Sequence, residues 1–211
     1  MRSVTAFLRA VIGTVCGWPR NLKIGCAILS IITLAAIFAP WLTPYDPYLQ
    51  DYGRILQPPS LLHPFGTDQL GRDVFARVLF GAAIDLEIGF ITTYVPMIYG
   101  VAIGALAGYR GGWLDVLTMR VIDLAIAFPF LVLIILILSI LGPGLQNVYI
   151  ALLIVGWTMY ARLARAEMLV ERNKPYILAA KVLGYSEARI VIRHALPNIL
   201  ASSLVFSMVD F

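Results

Sequence analysis

From Leu124 to Ala161 the chain carries no Asp, Glu, Lys, Arg or His. A spanning helix needs about 20 apolar residues to cross about 30 Å of hydrocarbon, and this stretch is nearly twice that long. Gly142-Pro143-Gly144 divides it, and such a cluster marks a turn. The sequence therefore predicts a hairpin of two spans, Leu124–Leu141 and Leu145–Ala161, with Asn147 at the tight connection. Two further uncharged runs are Ile24–Leu42 and Ile88–Tyr109. The first is too long for a signal-peptide core and no A-x-A site follows it, so it reads as an uncleaved span. Pro96 and four glycines are tolerated in the second, because neighbouring helices in lipid satisfy freed backbone groups. The last run, Ala195–Val209, reaches only about 22 Å at 1.5 Å per residue. It is expected to be a partial fifth span in a sequence cut short, with either Asp210 facing a protein interior or the chain stopping inside a helix.

Only 13% of the 211 residues are charged and 60% are hydrophobic, against about 25% charged in a soluble domain. Disorder, a nucleic-acid-binding domain and a fibre are excluded by the same arithmetic. The expected fold class is an all-α polytopic membrane protein with four complete transmembrane helices plus a partial fifth. The net charge of +4 reflects loop lysines and arginines rather than an anionic partner. With the N-terminus inside, segments 1–23, 110–123 and 162–194 hold 13 of the 16 Lys and Arg, and the outer loop 43–87 holds three. That bias predicts a cytoplasmic N-terminus. Cys16 and Cys26 form neither a disulfide framework nor a CxxC site.

The outer loop opens with five prolines and is expected to be extended or turning there, while Asp73–Gly81 places Val74, Val78 and Leu79 near one helical face that would lie along the membrane. Gly66, Thr67, Asp68, Gly71, Arg72 and Asp73 read as local Asp–Arg pairing with glycine turns rather than a metal or substrate site. Asp115, after Gly111-Gly112, reads as a helix-start residue. Arg120 and Asp123 stand at helix spacing and are expected to pair with each other. An intramembrane enzyme would need converging ionisable groups. The two histidines, His63 and His194, fall in the outer and inner loops, so no catalytic residue and no metal ligand is assigned. A passive channel lacks any ring-forming charged repeat.

Segment 162–194 carries the most information. Pro175 suits a first helical position, Tyr176–Leu183 reads as a short helix, and Gly184 as its left-handed terminator. Ser186 is expected to cap a second helix, with Glu187 in its first turn, and Pro197 to start the next span. Ala179 and Ala180 remove bulk where a partner would approach. The spacing of Ala179-Ala180, Gly184 and His194-Ala195-Leu196-Pro197 resembles the EAA loop of bacterial ABC importer permeases. His63–Arg77, Gly108–Asp115, Met119–Asp123 with Phe128-Pro129, and Gly156-Trp157 through Arg162 are similar to the dipeptide/oligopeptide/nickel type, C-type subunit. The resemblance runs from about residue 24 onward. Leu178 departs from it where the family has Glu, and Ala83-Ile84-Asp85 departs in the outer segment.

What the resemblance implies is a permease transmembrane domain over 24–211, incomplete, after a cytoplasmic segment 1–23, in the bacterial cytoplasmic (inner) membrane. Its coupling residues would be Pro175, Ala179, Ala180, Gly184, His194, Leu196 and Pro197. It implies a heterodimer with a second permease, two cytoplasmic ATPase subunits, an extracytoplasmic solute-binding protein and membrane lipid, with no nucleic acid. No cofactor is expected on this chain, since it lacks a nucleotide motif and ATP would be used by the ATPases. Peptides are the family's usual solute, and nickel and glutathione use similar permeases.

Overall fold

A computed structural model describes residues 19–211, and the calls on Arg2, Arg9, Cys16 and most of segment 1–23 lie outside the described residues. The regular structure of the described residues is helical apart from one isolated β-bridge, and 43–73 is mostly irregular. Two compact units meet in sequence at Glu87 and Ile88. Their helices are α1 (Arg20–Ile37), α2 (Ala39–Leu42), α3 (Val74–Arg110), α4 (Gly112–Ile126), α5 (Phe130–Leu141), α6 (Leu145–Glu171), α7 (Pro175–Val182), α8 (Glu187–Arg189) and α9 (Leu196–Asp210). A π-helical stretch, Ile190–Ala195, joins α8 to α9.

In the first unit α1 buries only Ala36, so its apolar residues face outward on every side, as a helix in lipid does. The loop 43–73 is tied together by side chains rather than by regular structure. Gly66 and Gly71 hold left-handed φ of 73° and 71°. A Cβ on Gly71 would fall 1.8 Å from the Asp51 carbonyl oxygen, so no other residue fits there. Thr67 pairs with Asp73 in the β-bridge and accepts the Gln57 N–H at 2.8 Å. Asp73 caps α3 by accepting the Ala76 N–H, and its other oxygen takes His63 Nδ1 at 2.8 Å. The segment Asp73–Gly81 is not a separate surface helix, because α3 runs unbroken for 37 residues; Leu79 is buried while Val78 is exposed.

The second unit is held by close helix approach. Gly100, Gly104 and Gly108 recur every four residues along α3 and lie on the α6 backbone at Trp157, Ala161 and Arg165. A Cβ on Gly104 would sit 2.1 Å from the Ala161 carbonyl oxygen. In lipid, where burying apolar surface gives no drive, such contact is what van der Waals packing requires. Pro96 fills the space over Gly156 in the same seam.

Three expectations change here. The span Leu124–Leu141 is broken: α4 and α5 bend by 89° across Ala127–Pro129, because a proline pushes its preceding residue out of helical dihedrals. α6 continues ten residues past Ala161, so Arg162 and Arg165 belong to a helix instead of a loop. The fifth run is longer than its uncharged stretch, since Glu187–Asp210 is helical over 24 residues. By length and composition three described helices can cross a membrane (Arg20–Ile37, Leu145–Glu171 and Glu187–Asp210), or four if the bent pair is one span. The run Ile88–Tyr109 lies wholly within α3.

Candidate functional site

The turn between α7 and α8 is built by local chemistry. Pro175 occupies the first position of α7, where its missing N–H costs nothing. Gly184 has φ 77°; its N–H donates to Lys181 O at 3.0 Å, and the Tyr185 N–H donates to Ala180 O at 3.2 Å. This pair of bonds is the Schellman termination, which needs a left-handed residue at that position. Ser186 stands at the N-cap of α8 but its side chain makes no capping bond, contrary to expectation.

The two faces of α7 differ. Ile177 and Ala180 are buried in one cluster with Ala105 and Tyr109 of α3, Ala164 and Met168 of α6, Ile190 and Ala195 of the π stretch, and Ile199 of α9. Ala180 is therefore small because of its own core, while Ala179 faces out. Leu178, Val182 and Leu183 form an outward apolar ridge, with Val182 88% exposed. Lys181 lies over the Tyr109 ring at 5.1 Å and Arg189 over the Tyr185 ring at 5.3 Å. An exposed apolar ridge beside basic groups has the form of a protein-docking surface. His194 stacks on Tyr185 with ring centres 5.9 Å apart, and Leu196 packs against the buried cluster. Pro197 sits in the first turn of α9, and the π widening lies just before it. A proline there cannot donate to the preceding turn and its ring crowds the carbonyl four residues back.

Glu171 was not singled out from the sequence and is the hub of this region. It is 4% exposed at the end of α6, where a carboxylate opposes the helix dipole. Its Oε1 accepts from Tyr176 Oη and from Asn198 Nδ2 at 2.9 Å, and its Oε2 faces Lys174 Nζ at 2.6 Å. One buried carboxylate thus ties the end of α6 to the starts of α7 and α9. That hydrogen bond to Glu171 holds Lys174 above its ordinary pKa; burial first, and Glu171 next, push the Tyr176 phenol up. An acid at the wrong end of a helix, with Lys three residues on, was the available signal.

The remaining candidates fall elsewhere. Asp115 is in the first turn of α4 as expected, and Arg165 of α6 grips both its oxygens. Asp123 pairs with Arg162 at 2.6 Å, not with Arg120, because α6 continues alongside α4. Gly111 and Gly112 make the left-handed connection from α3 to α4, and Arg172 donates to the Gly108 carbonyl at 2.8 Å, closing the C-terminus of α3. In the loop 43–73 Asp68 pairs with Arg72 at 2.8 Å and also with Arg77 of α3. Burial would raise the Asp68 pKa, but the backbone N–H groups of Arg72 and Leu70 and the Arg72 guanidinium lower it to about 2.

The helix-turn-helix segment, through α7 and the π-helical stretch after α8, shares one buried core with the long helices α3, α6 and α9. Residues 100–211 match the family described as binding-protein-dependent transport system inner membrane component, and residues 23–59 match the N-terminal TM domain of oligopeptide transport permease C. The chain belongs to this family of transport-system membrane components. It is 41% identical over 188 residues to the dipeptide transport system permease protein DppC of Alkalihalophilus pseudofirmus, covering 89% of this chain and 62% of the relative. It is 39% identical over 182 residues to the oligopeptide transport system permease protein OppC of Bacillus subtilis (86% and 60%), and 45% identical over 187 residues to a putative peptide transport system permease protein of Brucella suis (88% and 62%). The chain spans about 62% of the length of DppC from A. pseudofirmus.

Proposed function

We propose that the chain serves as the C-type permease subunit of an ATP-driven importer of peptides in the bacterial inner membrane, with its N-terminus in the cytoplasm. Its partners are a second permease, two cytoplasmic ATPases and an extracytoplasmic solute-binding protein. The chain itself is not an enzyme and binds no cofactor; ATP is hydrolysed by the partner subunits. The peptide assignment is supported by the names of the relatives.

The observation that carries the reading is the double-faced α7. Its outer ridge of Leu178, Ala179, Val182 and Leu183 is free to meet an ATPase, while Ile177 and Ala180 are locked into the core shared with α3, α6 and α9. Close-packed interiors transmit displacement rather than absorb it. An ATPase that moves α7 therefore moves the helices beside the pathway, and the Glu171 hub keeps α6, α7 and α9 in step. The shift is productive only where ATPase contacts differ between the two states. Leu178, in place of the family's Glu, makes this contact apolar instead of ionic.

Affinity purification of the tagged full-length permease from membranes tests the reading. A peptide-type ATPase and binding protein should co-purify in stoichiometric amounts. Recovery with a nickel-binding protein instead would refute the peptide assignment, and recovery without any ATPase would refute the importer assignment.

A further inference from the structure

A cavity of about 650 Å³ opens within the second unit among α3, α4, α5, α6 and α9. Ligand pockets run from about 300 to 1,000 Å³, so it has room for a small solute. Its body is apolar, with Phe130, Met159 and Phe206 among the lining side chains. Two of its three threonines share one character. Thr92 Oγ1 donates to Ile88 O at 2.8 Å and Thr158 Oγ1 donates to Val155 O at 2.9 Å. Each hydroxyl has spent its hydrogen on its own helix and offers only lone pairs to what enters. Asp210 is the one ionisable residue in the lining.

Asp210 is positioned, not stray. Its Oδ2 accepts from Tyr160 Oη at 2.8 Å, and Tyr160 is fully buried with its ring edge-on to Phe206 at 5.3 Å. Among the described residues no ion pair neutralises Asp210. Asp210 is exposed, so its carboxylate is open to a partner. The cavity thus offers a carboxylate and two acceptor hydroxyls, from Asp210, Thr92 and Thr158. What complements it is a cation that donates, attached to an apolar body.

We propose that this cavity is a solute subsite in which Asp210 receives an ammonium group, with Tyr160 as its positioning residue. Under the peptide reading above, on which this inference rests, that group is the free N-terminus of a short peptide. The adjoining side chain lies against Phe130, Met159 and Phe206, and the peptide's carboxylate points away from Asp210 toward the open side.

The test uses the assembled importer with full-length permease in proteoliposomes, ATP inside, and saturating loaded binding protein. The probe is labelled alanyl-phenylalanine. Asp210→Asn should lower maximal uptake about tenfold or more, the effect of losing a hydrogen bond to a charged group, and Asp210→Glu should restore most of it. As a second measurement, the complex without binding protein in nanodiscs should bind the free dipeptide more tightly than its N-acetyl form, a preference that Tyr160→Phe weakens. Wild-type uptake by Asp210→Asn, or equal binding of the free and acetylated peptides, would overturn the subsite while leaving the peptide reading intact. Absence of dipeptide uptake by the wild type would overturn the peptide reading, and the subsite with it.

Discussion

Replacing Gly184 isolates backbone conformation from packing. A Cβ built at this glycine meets no atom within 4 Å, so a side chain there encounters no steric barrier. Its φ of 77° remains, and that region costs an L-residue about 1–2 kcal/mol. The cost is greatest for β-branched side chains and least for Asn, whose short amide tolerates the left-handed region. The expected order of damage is Asn least, then Ala, then Val, a rank that size alone would not give because Asn and Val have similar volumes. The Schellman bonds to Ala180 and Lys181 loosen, and α7 no longer presents Val182 and Leu183 at a fixed angle. Gly184→Val should reduce ATPase activity stimulated by loaded binding protein in reconstituted complex, while membrane insertion and subunit assembly persist. Gly184→Asn should stay near wild type. Equal coupling in the Val variant, or equal loss in the Asn variant, would refute the argument.

Gly104→Ala should destabilise more than Gly184→Ala, because its Cβ would fall 2.1 Å from the Ala161 carbonyl where Gly184 has open space; overpacking of this kind costs about 1–3 kcal/mol, occasionally more, read as a lowered melting temperature in detergent. Ile177→Ala leaves a hole in the shared cluster and should cost about 2–5 kcal/mol by the same measurement, with coupling lost even where the complex still assembles. Because the Asp68 pKa lies below its unfolded value near 3.9, its stabilisation of the outer loop is complete above about pH 4 and is lost as pH falls toward 2. Melts of wild type and Asp68→Asn should therefore converge as pH falls through that window; a constant gap would contradict the assignment.

How far the fold was legible depended on the range of the interactions. The α7 helix and its Gly184 stop are local, so Pro175 and a single glycine were enough to find them. The extension of α6 to Glu171 was hidden, because Arg162 and Arg165 interrupt the apolar run yet are compensated by Asp123 and Asp115, residues far away in the chain. Arg120 was the nearer partner for Asp123 in sequence and lost to helix pairing in space. The break at Phe128-Pro129 was legible in principle, since Pro129 restricts its predecessor, but continuous hydropathy masked it. The four-residue spacing of Gly100, Gly104 and Gly108 was also present in the sequence and marks a contact seam. Of the two readings of Asp210, the hydrogen bond from Tyr160 fits the one in which it faces a protein interior.

The central claim is that the outer face of α7 meets the ATPase on the cytoplasmic side. Photo-crosslinking tests it most directly: a benzophenone attached through Val182→Cys on α7, compared with the same label through Leu61→Cys at the fully exposed tip of the outer loop. In assembled complex the Val182 label should yield an adduct with the ATPase subunit, altered in amount when ATP is trapped, and the Leu61 label should yield none. An ATPase adduct from Leu61, or none from Val182 in a complex that retains ATP-driven uptake, would contradict the account.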